Sequence, residues 1–415
     1  MEVPIGTLHT RLDGVTNDAG STCKYLCPTN VKIHGLTIRE SSVGLYRFHR
    51  ITGCGPIVDS TRFRDLAGVW QGAFMGIVKE IESMLAERGY GPEEPGCAVG
   101  VYLEGRPLAE VCRGRRALDA TDPITPTTNF RIASVSKQFT AAAVLLLVEQ
   151  GKLRLQSTLC DLFPGFPAYG AEISVADLVG HTSGLKDYED LLPADFVGTF
   201  RDADVLDLMM RESAGDFEPG SQYRYSNTGY ALLALIVERA SGGSFPEFLE
   251  RSIFRPAGML RSLAWDDRVG TITERAFGHR RAESGGWEAR DQSRTSSVLG
   301  DGGIYTSIRE YALWDRALAD NRILGTSAIR QMLTPGRLDD GSSTGYGFGW
   351  RVEEKRGLLV CHHTGSTTGF NSFARRIPAL GLCTVFLANR ISDDPKELTP
   401  RIEDLALEGL KDLLP

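Results

Sequence analysis

The sequence predicts an α+β fold in which an antiparallel sheet is built from both ends of the chain, is flanked by helices, and has a mostly helical region inserted in the middle. Two observations lead to this prediction. A strand–turn–strand pattern, CAVGVYLEGRPLAEVC, lies in the first third of the chain, and four strand-like runs return near its end. Between them, apolar residues recur at helical spacing. The sheet region is therefore expected at 75–130 and 346–415, and the helical region at about 131–345.

Residues 1–74 differ from the rest of the chain. They contain three of the eight cysteines and an excess of basic over acidic residues, although the whole chain has a net charge of −7. They show no sustained helical or alternating pattern. We expect a poorly ordered N-terminal extension followed by a single domain at 75–415.

The first ordered element is predicted in the stretch FMGIVKEIESMLAERG. Ile77, Ile81, Met84 and Leu85 share one helical face, and Gly89 is typical of a residue that ends a helix. The stretch therefore predicts an amphipathic helix.

A hairpin over 97–113 follows, with its turn at Glu104-Gly105. Such a hairpin would place Cys97 and Cys112 opposite each other, which allows a disulfide. The alternative, two small buried thiols, is favoured in a chain without an export signal. The cysteines form no CxxC or Cys/His cluster, so we expect no metal site, and the sequence gives no sign of another cofactor.

The middle of the chain contains several helix signals. An apolar helix follows Ser134 in SVSKQFTAAAVLLLVEQG, and the stretch ISVADL begins with Ser174 as N-cap and Asp177 three residues later. TGYALLALIVERASG predicts another apolar helix. TSIREYALWDRAL is predicted to open with a capping box formed by Ser307 and Glu310.

Strand-like runs return at the end of the chain as YGFGWRVE, GLLVCHH, FNSFARRI and LCTVFLANR. They alternate or are apolar throughout, as strands of a sheet covered on both faces are. An amphipathic helix is predicted near 397–413.

The composition excludes some classes of partner. The chain has 42% hydrophobic and 24% charged residues and a pI of about 5.6, without a basic stripe, so we expect no nucleic-acid partner. The longest apolar run, Ala141–Val148, is far below the ~18 residues that a membrane span needs. The first residues contain no apolar signal region, so we expect a cytoplasmic protein; a different true start would allow a periplasmic or extracellular one.

The pattern SxxK, a serine and a lysine three residues apart, occurs at Ser21/Lys24, Ser183/Lys186 and Ser134/Lys137. The first lies in the extension, and the glycine inside the second favours a turn. Only the third precedes an apolar helix. There, Lys137 shares a face with Ser134 and can reach its hydroxyl. A catalytic pair and an N-cap serine beside a lysine that extends to solvent both fit this motif taken alone.

The pattern GxSxG occurs once, as GSSTG around Ser343. A nucleophile elbow requires a strand before the serine and a helix after it. RLDD and YGFGW flank this stretch instead, so it predicts a Gly/Ser turn.

Two further motifs favour the catalytic interpretation of Ser134. Tyr225 and Asn227 form YSN directly before an apolar helix, and HTG at 363–365 lies at the end of a strand. SVSK, YSN and HTG, in this order, resemble the three motifs of the serine β-lactamase and penicillin-binding-protein superfamily. The chain is most similar to class C β-lactamase-like serine hydrolases, which include D-Ala-D-Ala carboxypeptidases, D-aminopeptidases and family VIII esterases. LVGHTSGL, FEPGSQYRYSN, IFRPAGM, GDGGIYTSIREYALW and YGFGW extend the resemblance over about 90–415.

The resemblance implies a β-lactamase/transpeptidase-like fold and acyl transfer through a serine ester, without a metal or organic cofactor. It assigns Ser134 as nucleophile, Lys137 as its base, Tyr225 as proton shuttle, Asn227, His363, Thr364 and Gly365 as substrate-binding residues, and the backbone N–H groups of Ser134 and Ser366 as the oxyanion hole. A lysine is a poor base at its usual pKa of ~10.4, so we expect burial and the nearby helix terminus to lower the pKa of Lys137.

Position 363 departs from many β-lactamases, which have lysine there. A histidine at this position resembles the motif of D-Ala-D-Ala peptidases and D-aminopeptidase-like hydrolases. We expect the His363 imidazole to provide a charge to the substrate in acid that fades above neutrality. The alternative is a neutral imidazole, hydrogen-bonded at a strand end.

We therefore expect a serine hydrolase that cleaves an amide or ester of a small molecule or short peptide. A D-amino-acid peptide or amide ranks first, a small ester second and a β-lactam third. The rival is a penicillin-binding or sensor module that acylates without efficient hydrolysis. The sequence leaves the oligomeric state open.

Overall fold

The structure is a computed structural model that describes residues 30–33, 36–40, 46–50 and 62–410, except 194, 267, 269 and 392–394. The chain divides into two compact units, Met1–Val69 and Trp70–Pro415.

The first unit contains a three-stranded antiparallel sheet in the order β1-β2-β3, formed by β1 (Asn30–Ile33), β2 (Leu36–Glu40) and β3 (Tyr46–Arg50). The remainder of 1–61 lies outside the described residues, and so does the pair Ser21/Lys24. A poorly ordered extension over 1–74 stays a prediction.

The second unit contains twelve further strands in its described residues. They are β4 (Cys97–Leu103), β5 (Arg106–Arg113), β6 (Phe130–Arg131), β7 (Leu263–Ala264), β8 (His279–Arg281), β9 (Trp287–Ala289), β10 (Ile304–Thr306), β11 (Arg351–Lys355), β12 (Leu358–Thr367), β13 (Phe370–Ile377), β14 (Leu382–Ala388) and β15 (Arg390–Ile391).

The described helices concentrate between β6 and β11. In chain order they are α1 (Arg62–Glu87), α2 (Lys137–Glu149), α3 (Leu159–Leu162), α4 (Val175–Gly180), α5 (Tyr188–Leu191), α6 (Asp202–Met209), α7 (Asn227–Ser241), α8 (Phe245–Leu249), α9 (Arg255–Ala257), α10 (Leu299–Gly302), α11 (Ile308–Ala319), α12 (Thr326–Met332) and α13 (Pro395–Leu410). Short 3₁₀-helices cover Ala133–Ser136, Ala168–Ala171 and Pro378–Leu380, and Glu250–Phe254 is a π-helical turn.

The main sheet has six antiparallel strands in the order β11-β12-β13-β14-β4-β5. The early hairpin β4-β5 joins the late strands through the pairing of β4 with β14. The predicted α+β fold, with one sheet built from both ends of the chain and helices inserted between them, is confirmed.

Helices cover both faces of this sheet. Adjacent residues of a strand point to opposite faces. Arg375 of β13 bonds to Glu403 of α13, whereas its neighbour Arg376 pairs with Asp315 of α11 at 3.0 Å. Helices α11 and α13 therefore lie on opposite faces, which explains why β13 and β14 are buried along their whole length.

The predicted hairpin turn is confirmed, but a disulfide inside it is wrong. Glu104 and Gly105 both have positive φ, 49° and 75°, as two-residue hairpin turns require. The register pairs Cys97 with Arg113, and Ala98 with Cys112. The two cysteine side chains therefore point to opposite faces of the sheet, because the side-chain period of a strand is two residues.

The terminal helices differ from the predictions in their limits. The first helix begins at Arg62 rather than near residue 74, and it ends at Glu87, as expected. Its predicted apolar face is buried at Ile77, Ile81 and Met84. The last helix covers Pro395–Leu410 rather than 397–413.

One of the two predicted capping boxes is complete. Ser174 and Asp177 exchange side-chain and backbone hydrogen bonds at the start of α4. At the start of α11 the Ser307 hydroxyl accepts from the Glu310 N–H at 3.3 Å, but the reciprocal bond is absent. The Glu310 carboxylate accepts instead from the Arg261 N–H at 2.8 Å, since a tertiary donor competes for it.

We expect a chain that begins at Met75 to fold cooperatively and to keep its activity. The buried residues Ile77, Ile81 and Met84 all follow that start. Urea unfolding of this chain beside the full-length chain measures the effect. A non-cooperative transition would show that the preceding residues belong to the core.

Candidate active site

The candidate site is centred on Lys137, the first residue of α2. Its side chain is 0% exposed. Its ammonium group lies within hydrogen-bond distance of Ser134 Oγ at 3.2 Å, Asn227 Oδ1 at 2.8 Å and the Asp301 carbonyl oxygen at 2.9 Å. These acceptors belong to a 3₁₀ turn, to α7 and to α10. A lysine that extends to solvent, the alternative interpretation of SxxK, is therefore wrong.

The three acceptors use all three ammonium hydrogens of Lys137. In the part of the chain that the structure describes, no carboxylate lies within 4.0 Å of Nζ, the distance that defines an ion pair. The buried charge is therefore stabilised by neutral acceptors. One of these acceptors is the Ser134 hydroxyl, the predicted nucleophile.

The turn that contains Ser134 is different from the predicted helix start. Ala133–Ser136 form a 3₁₀-helix, and α2 begins only at Lys137. Ala133 has a φ of 46°, a left-handed conformation that costs energy in a residue with a Cβ. The turn is held from outside because the Ile132 N–H donates to the Ile304 carbonyl at 3.0 Å. Strained residues cluster at active sites, and this one directly precedes the predicted nucleophile.

Gly365, in the third motif, allows strand β12 to approach this turn. A Cβ at position 365 would lie 2.3 Å from the Ile132 carbonyl oxygen and 3.1 Å from the Ala133 Cβ. The Ser372 hydroxyl of β13 donates to the same carbonyl at 2.6 Å. Glycine at 365 is thus required for packing against the turn that contains Ser134.

The strand pattern leaves the main chain of Ser366 pointing away from β13. Thr367 and Phe370 flank a two-residue turn, so they form a hydrogen-bonded pair, and bonded and non-bonded positions alternate along β12. The N–H and C=O groups of Ser366 therefore point to the side of β12 on which β11 lies. β11 does not reach Ser366, because its first residue pairs with His362. This open side is compatible with the predicted oxyanion hole, which stays a prediction.

Tyr225 lies directly beside the ammonium group. Its ring centroid is 4.9 Å from Lys137 Nζ, which is within cation–π distance. Its hydroxyl is buried and has no hydrogen-bond partner among the described residues. A buried hydroxyl without a partner is unusual and points to a group that acts on a substrate or a water.

Asn227 is the first residue of α7, and both its backbone and its side chain are bonded. Its N–H donates to Asp187 Oδ2 at 2.8 Å, and its Oδ1 accepts from Lys137. The amide oxygen therefore holds the Lys137 ammonium group. The amide N–H group hydrogen-bonds to the Glu189 carboxylate, so the side chain links Lys137 to an acid.

His363 does not have the charge that the sequence suggested. Its side chain is 1% exposed. Its Nδ1 lies 2.7 Å from the Thr364 carbonyl, which can only accept, so Nδ1 donates and Nε2 accepts from the Tyr346 hydroxyl at 3.0 Å. Burial and the Lys137 charge lower the pKa of His363 from 6.5 to about 3. The neutral imidazole at a strand end was the correct alternative.

Arg351 provides a positive charge near the place where a β-lactamase lysine would provide one. It is the first residue of β11 and is partly exposed, opposite His362 in the register. Its guanidinium lies 5.8 Å from the Tyr225 ring centroid. An arginine stays charged throughout the pH range in which enzymes work.

The carbonyl that holds Lys137 belongs to a short helix with buried acids. Asp202 accepts from the Leu299 and Gly300 N–H groups at 2.9 and 3.1 Å and thereby fixes the start of α10. Burial raises the pKa of Asp202 to about 7. The Asp301 carboxyl accepts from the Tyr188 hydroxyl at 2.9 Å, and burial raises its pKa although the Lys137 charge opposes the shift.

The competing serine motifs are structural. Lys186 forms an ion pair with Glu212 at 2.5 Å and cannot serve Ser183, which is buried in the turn that Gly184 forms with a φ of 70°. Ser343 is exposed and forms an isolated bridge with Arg337, without the strand before it and the helix after it that a nucleophile elbow requires. The described residues include no cluster of three or more His, Cys, Asp or Glu side chains that could hold a metal ion. No helix in the described part of the chain is long and apolar enough to cross a membrane.

Three residues of the site were not assigned from the sequence. They are Asp301, which holds Lys137; Tyr346, which holds His363; and His181, whose ring lies 4.3 Å from that of Tyr225. Each falls in a stretch that already extended the family resemblance: GDGG, YGFGW and LVGHTSGL. These stretches were the only signal in the sequence for the three residues. A contact made by a backbone carbonyl or by a ring face produces no motif that can be recognised in a sequence.

Comparison with known proteins identifies the family. The family model described as Beta-lactamase matches residues 81–407. Penicillin-binding protein 4* of Bacillus subtilis (strain 168) is 31% identical over 290 residues, which are 66% of this chain and 64% of the relative. D-aminopeptidase of Gluconobacter oxydans (strain 621H) is 29% identical over 304 residues, which are 72% of this chain and 56% of the relative. The chain thus spans less than two thirds of the length of either relative.

The fold comparison agrees with the family model. The structure of D-amino acid amidase from Ochrobactrum anthropi SV3 complexed with L-phenylalanine amide superposes with a TM-score of 0.67, at 24% identity, over 83% of this chain and 99% of that one. This likeness shows a β-lactamase/transpeptidase-like fold. Because the family model covers most of its length, the chain belongs to the β-lactamase family, within the superfamily of serine β-lactamases and penicillin-binding proteins.

Proposed function

We propose that the chain is a serine hydrolase that cleaves an amide or ester bond through an acyl-serine intermediate at Ser134. The observation that supports this most is the buried Lys137 ammonium group, 3.2 Å from the Ser134 hydroxyl. A buried lysine is rare unless it is paired or used, and this one has no carboxylate partner among the described residues. Membership of the family supports the same reaction class.

In the proposed reaction Lys137, once neutral, accepts the Ser134 hydroxyl proton while Oγ attacks the substrate carbonyl carbon. The carbonyl electrons move to the oxygen, where the N–H groups of Ser134 and Ser366 would stabilise the charge. Collapse of this intermediate breaks the bond to the leaving amine or alcohol, which takes a proton from Tyr225. Water then hydrolyses the ester by the reverse sequence and frees Ser134.

For the substrate we propose a D-aminoacyl amide or short D-peptide first, a small ester second and a β-lactam third. The D-aminopeptidase and D-amino acid amidase relatives support the first. Carboxylates beside Asn227 support a substrate with a free amino group. Asp187 accepts the Asn227 N–H, and the Glu189 carboxylate hydrogen-bonds to the Asn227 side chain, so both acids lie at the site.

A hydrolysis panel tests the proposal. It comprises D- and L-aminoacyl p-nitroanilides, p-nitrophenyl esters and nitrocefin. We expect turnover of the D-aminoacyl compounds that is lost in Ser134→Ala. A stoichiometric adduct without turnover would support the rival penicillin-binding or sensor function instead.

A serine-directed fluorophosphonate should label the chain once, at Ser134. Ser134→Ala should abolish labelling, because among the described candidates Ser183 and Ser343 lack a lysine partner. Ser183→Ala and Ser343→Ala are matched controls that should label normally, as peptide mapping by mass spectrometry would show. Labelling at Ser183 or Ser343 would contradict the assignment.

Lys137→Ala should lower kcat by at least ~10²-fold, the usual range for the loss of a general base. Lys186→Ala, the lysine of the second SxxK, is the control and should keep normal turnover because its ammonium pairs with Glu212. Near-normal turnover in Lys137→Ala would remove the lysine from the mechanism.

The preference for a carboxylate-bearing substrate should not change between pH 5 and 8. The lowered pKa of His363, about 3, means that the imidazole is already neutral at the acid end of this range, and Arg351 stays charged throughout. The ratio of KM for a carboxylate substrate to KM for its methyl ester measures this. A ratio that rises with a midpoint near the usual histidine pKa of ~6.5 would contradict this, because it would mean that His363 titrates and provides charge to the substrate.

A further inference from the structure

His181 is a buried histidine that the proposed reaction does not use. It follows the last residue of α4 in the stretch LVGHTSGL, and it adopts a left-handed conformation with φ 60° and ψ 35°. Its side chain is 1% exposed. Burial, followed by the positive charge of Lys137, holds the pKa of His181 well below its usual value, so the imidazole is neutral.

Two hydrogen bonds connect His181 to the residues on either side of Tyr225. The carbonyl oxygen of His181 accepts from the Arg224 N–H at 3.0 Å. Its Nδ1 accepts from the Ser226 N–H at 3.2 Å. Since Nδ1 is the acceptor, the ring proton is on Nε2. That atom is buried and has no hydrogen-bond partner among the described residues. An unpaired buried N–H group is unfavourable, so a residue with only a packing role would not be expected to retain one.

The imidazole also packs against aromatic rings around the site. Its centroid lies 4.3 Å from the Tyr225 ring, 4.6 Å from Tyr346 and 5.1 Å from Tyr230. The hydroxyl of Tyr346 in turn bonds to His363. The ring of Tyr225 is therefore in contact with His181 as well as near the Lys137 ammonium group, and its orientation depends on both.

We propose that His181 is a positioning residue for Tyr225: it fixes the backbone on both sides of the tyrosine and thereby holds its ring, and with it the hydroxyl, beside the Ser134–Lys137 pair. This inference rests on the proposed function of Tyr225 as proton shuttle. Among the described residues the hydroxyl of Tyr225 has no hydrogen-bond partner that would hold it. Its placement must therefore come from its backbone and from its ring contacts.

Two variants of His181 distinguish its hydrogen-bond acceptor, Nδ1, from its contribution to general packing. His181→Asn keeps an acceptor where Nδ1 lies, and asparagine tolerates the left-handed conformation. His181→Ala removes the acceptor and the ring. A displacement of about 1 Å at a reacting group can cost ~10²-fold, so we expect His181→Ala to lower kcat by ~10–100-fold. We expect KM to change by less than ~3-fold, because the interaction lost is one made in the transition state.

His181→Asn should stay within ~5-fold of the wild-type kcat, because one of the two hydrogen bonds depends on the side chain and asparagine preserves it. The matched control is His279→Ala. His279 is equally buried, at 1% exposed, and its Nδ1 bonds to the Asn389 carbonyl at 3.1 Å on β8, a strand that contributes no residue to the site. This variant should lower the melting temperature and leave kcat unchanged.

A double-variant cycle with Tyr225→Phe completes the test. If His181 acts through the tyrosine hydroxyl, His181→Ala should have little further effect once that hydroxyl is removed. The inference is overturned if His181→Ala turns over normally, if His181→Asn is as impaired as His181→Ala, if the effects of His181→Ala and Tyr225→Phe multiply, or if His279→Ala loses as much kcat.

The substrate is a D-aminoacyl p-nitroanilide. If the wild type fails to hydrolyse any compound of the panel, the proposed substrate is wrong while the inference on His181 remains testable. The same variants are then compared by the rate at which a fluorophosphonate labels Ser134, which needs no substrate. Equal labelling rates in the wild type, His181→Ala and Tyr225→Phe would overturn the inference in that case.

Discussion

The site depends on one buried positive charge. Lys137 is removed from water, and its ammonium group is satisfied by a hydroxyl, an amide oxygen and a backbone carbonyl. Hydrogen bonds to a charged group stabilise a protein by about 1.5–3 kcal/mol each. Burying a charge without such partners costs more free energy than one hydrogen bond provides. The three elements that supply the acceptors must therefore meet at Nζ, and this requirement sets the shape of the site.

The close packing around Lys137 depends on positions where no side chain fits. Gly365 allows β12 to lie against the nucleophile turn, and Gly349 allows the loop before β11 to approach the start of α2. A Cβ at position 349 would lie 2.8 Å from the Lys137 carbonyl oxygen and from the Gln138 Cα. Glycines inside the HTG and YGFGW stretches thus bring the sheet and the helical region into contact, because any larger residue would separate the two halves of the site.

The positive charge that the HTG motif suggested at His363 is absent. His363 and His181 are both buried and neutral, and their roles are hydrogen bonding and packing. The charges come from Lys137 within the pocket and from Arg351 at its edge. Because both histidines are neutral, neither adds a titrating charge to the pocket in the range where histidine usually titrates. The acids Asp202 and Asp301 are buried and hold α10 in place. Asp202 accepts from the Leu299 N–H, and Asp301 accepts from the Tyr188 hydroxyl.

The sheet built from both ends, the inserted helices and the candidate residues Ser134, Lys137 and Tyr225 were predictable from the sequence, because strand alternation, helical spacing and motif order can be read along the chain. The state of His363, the acceptor at Asp301 and the separation of Cys97 from Cys112 depend on tertiary packing. Burial sets the protonation of an imidazole, a backbone carbonyl is the same in every residue, and a register shift of one position moves a side chain to the other face of a sheet. None of these three quantities is a property of a residue type, so each depends on how distant segments pack.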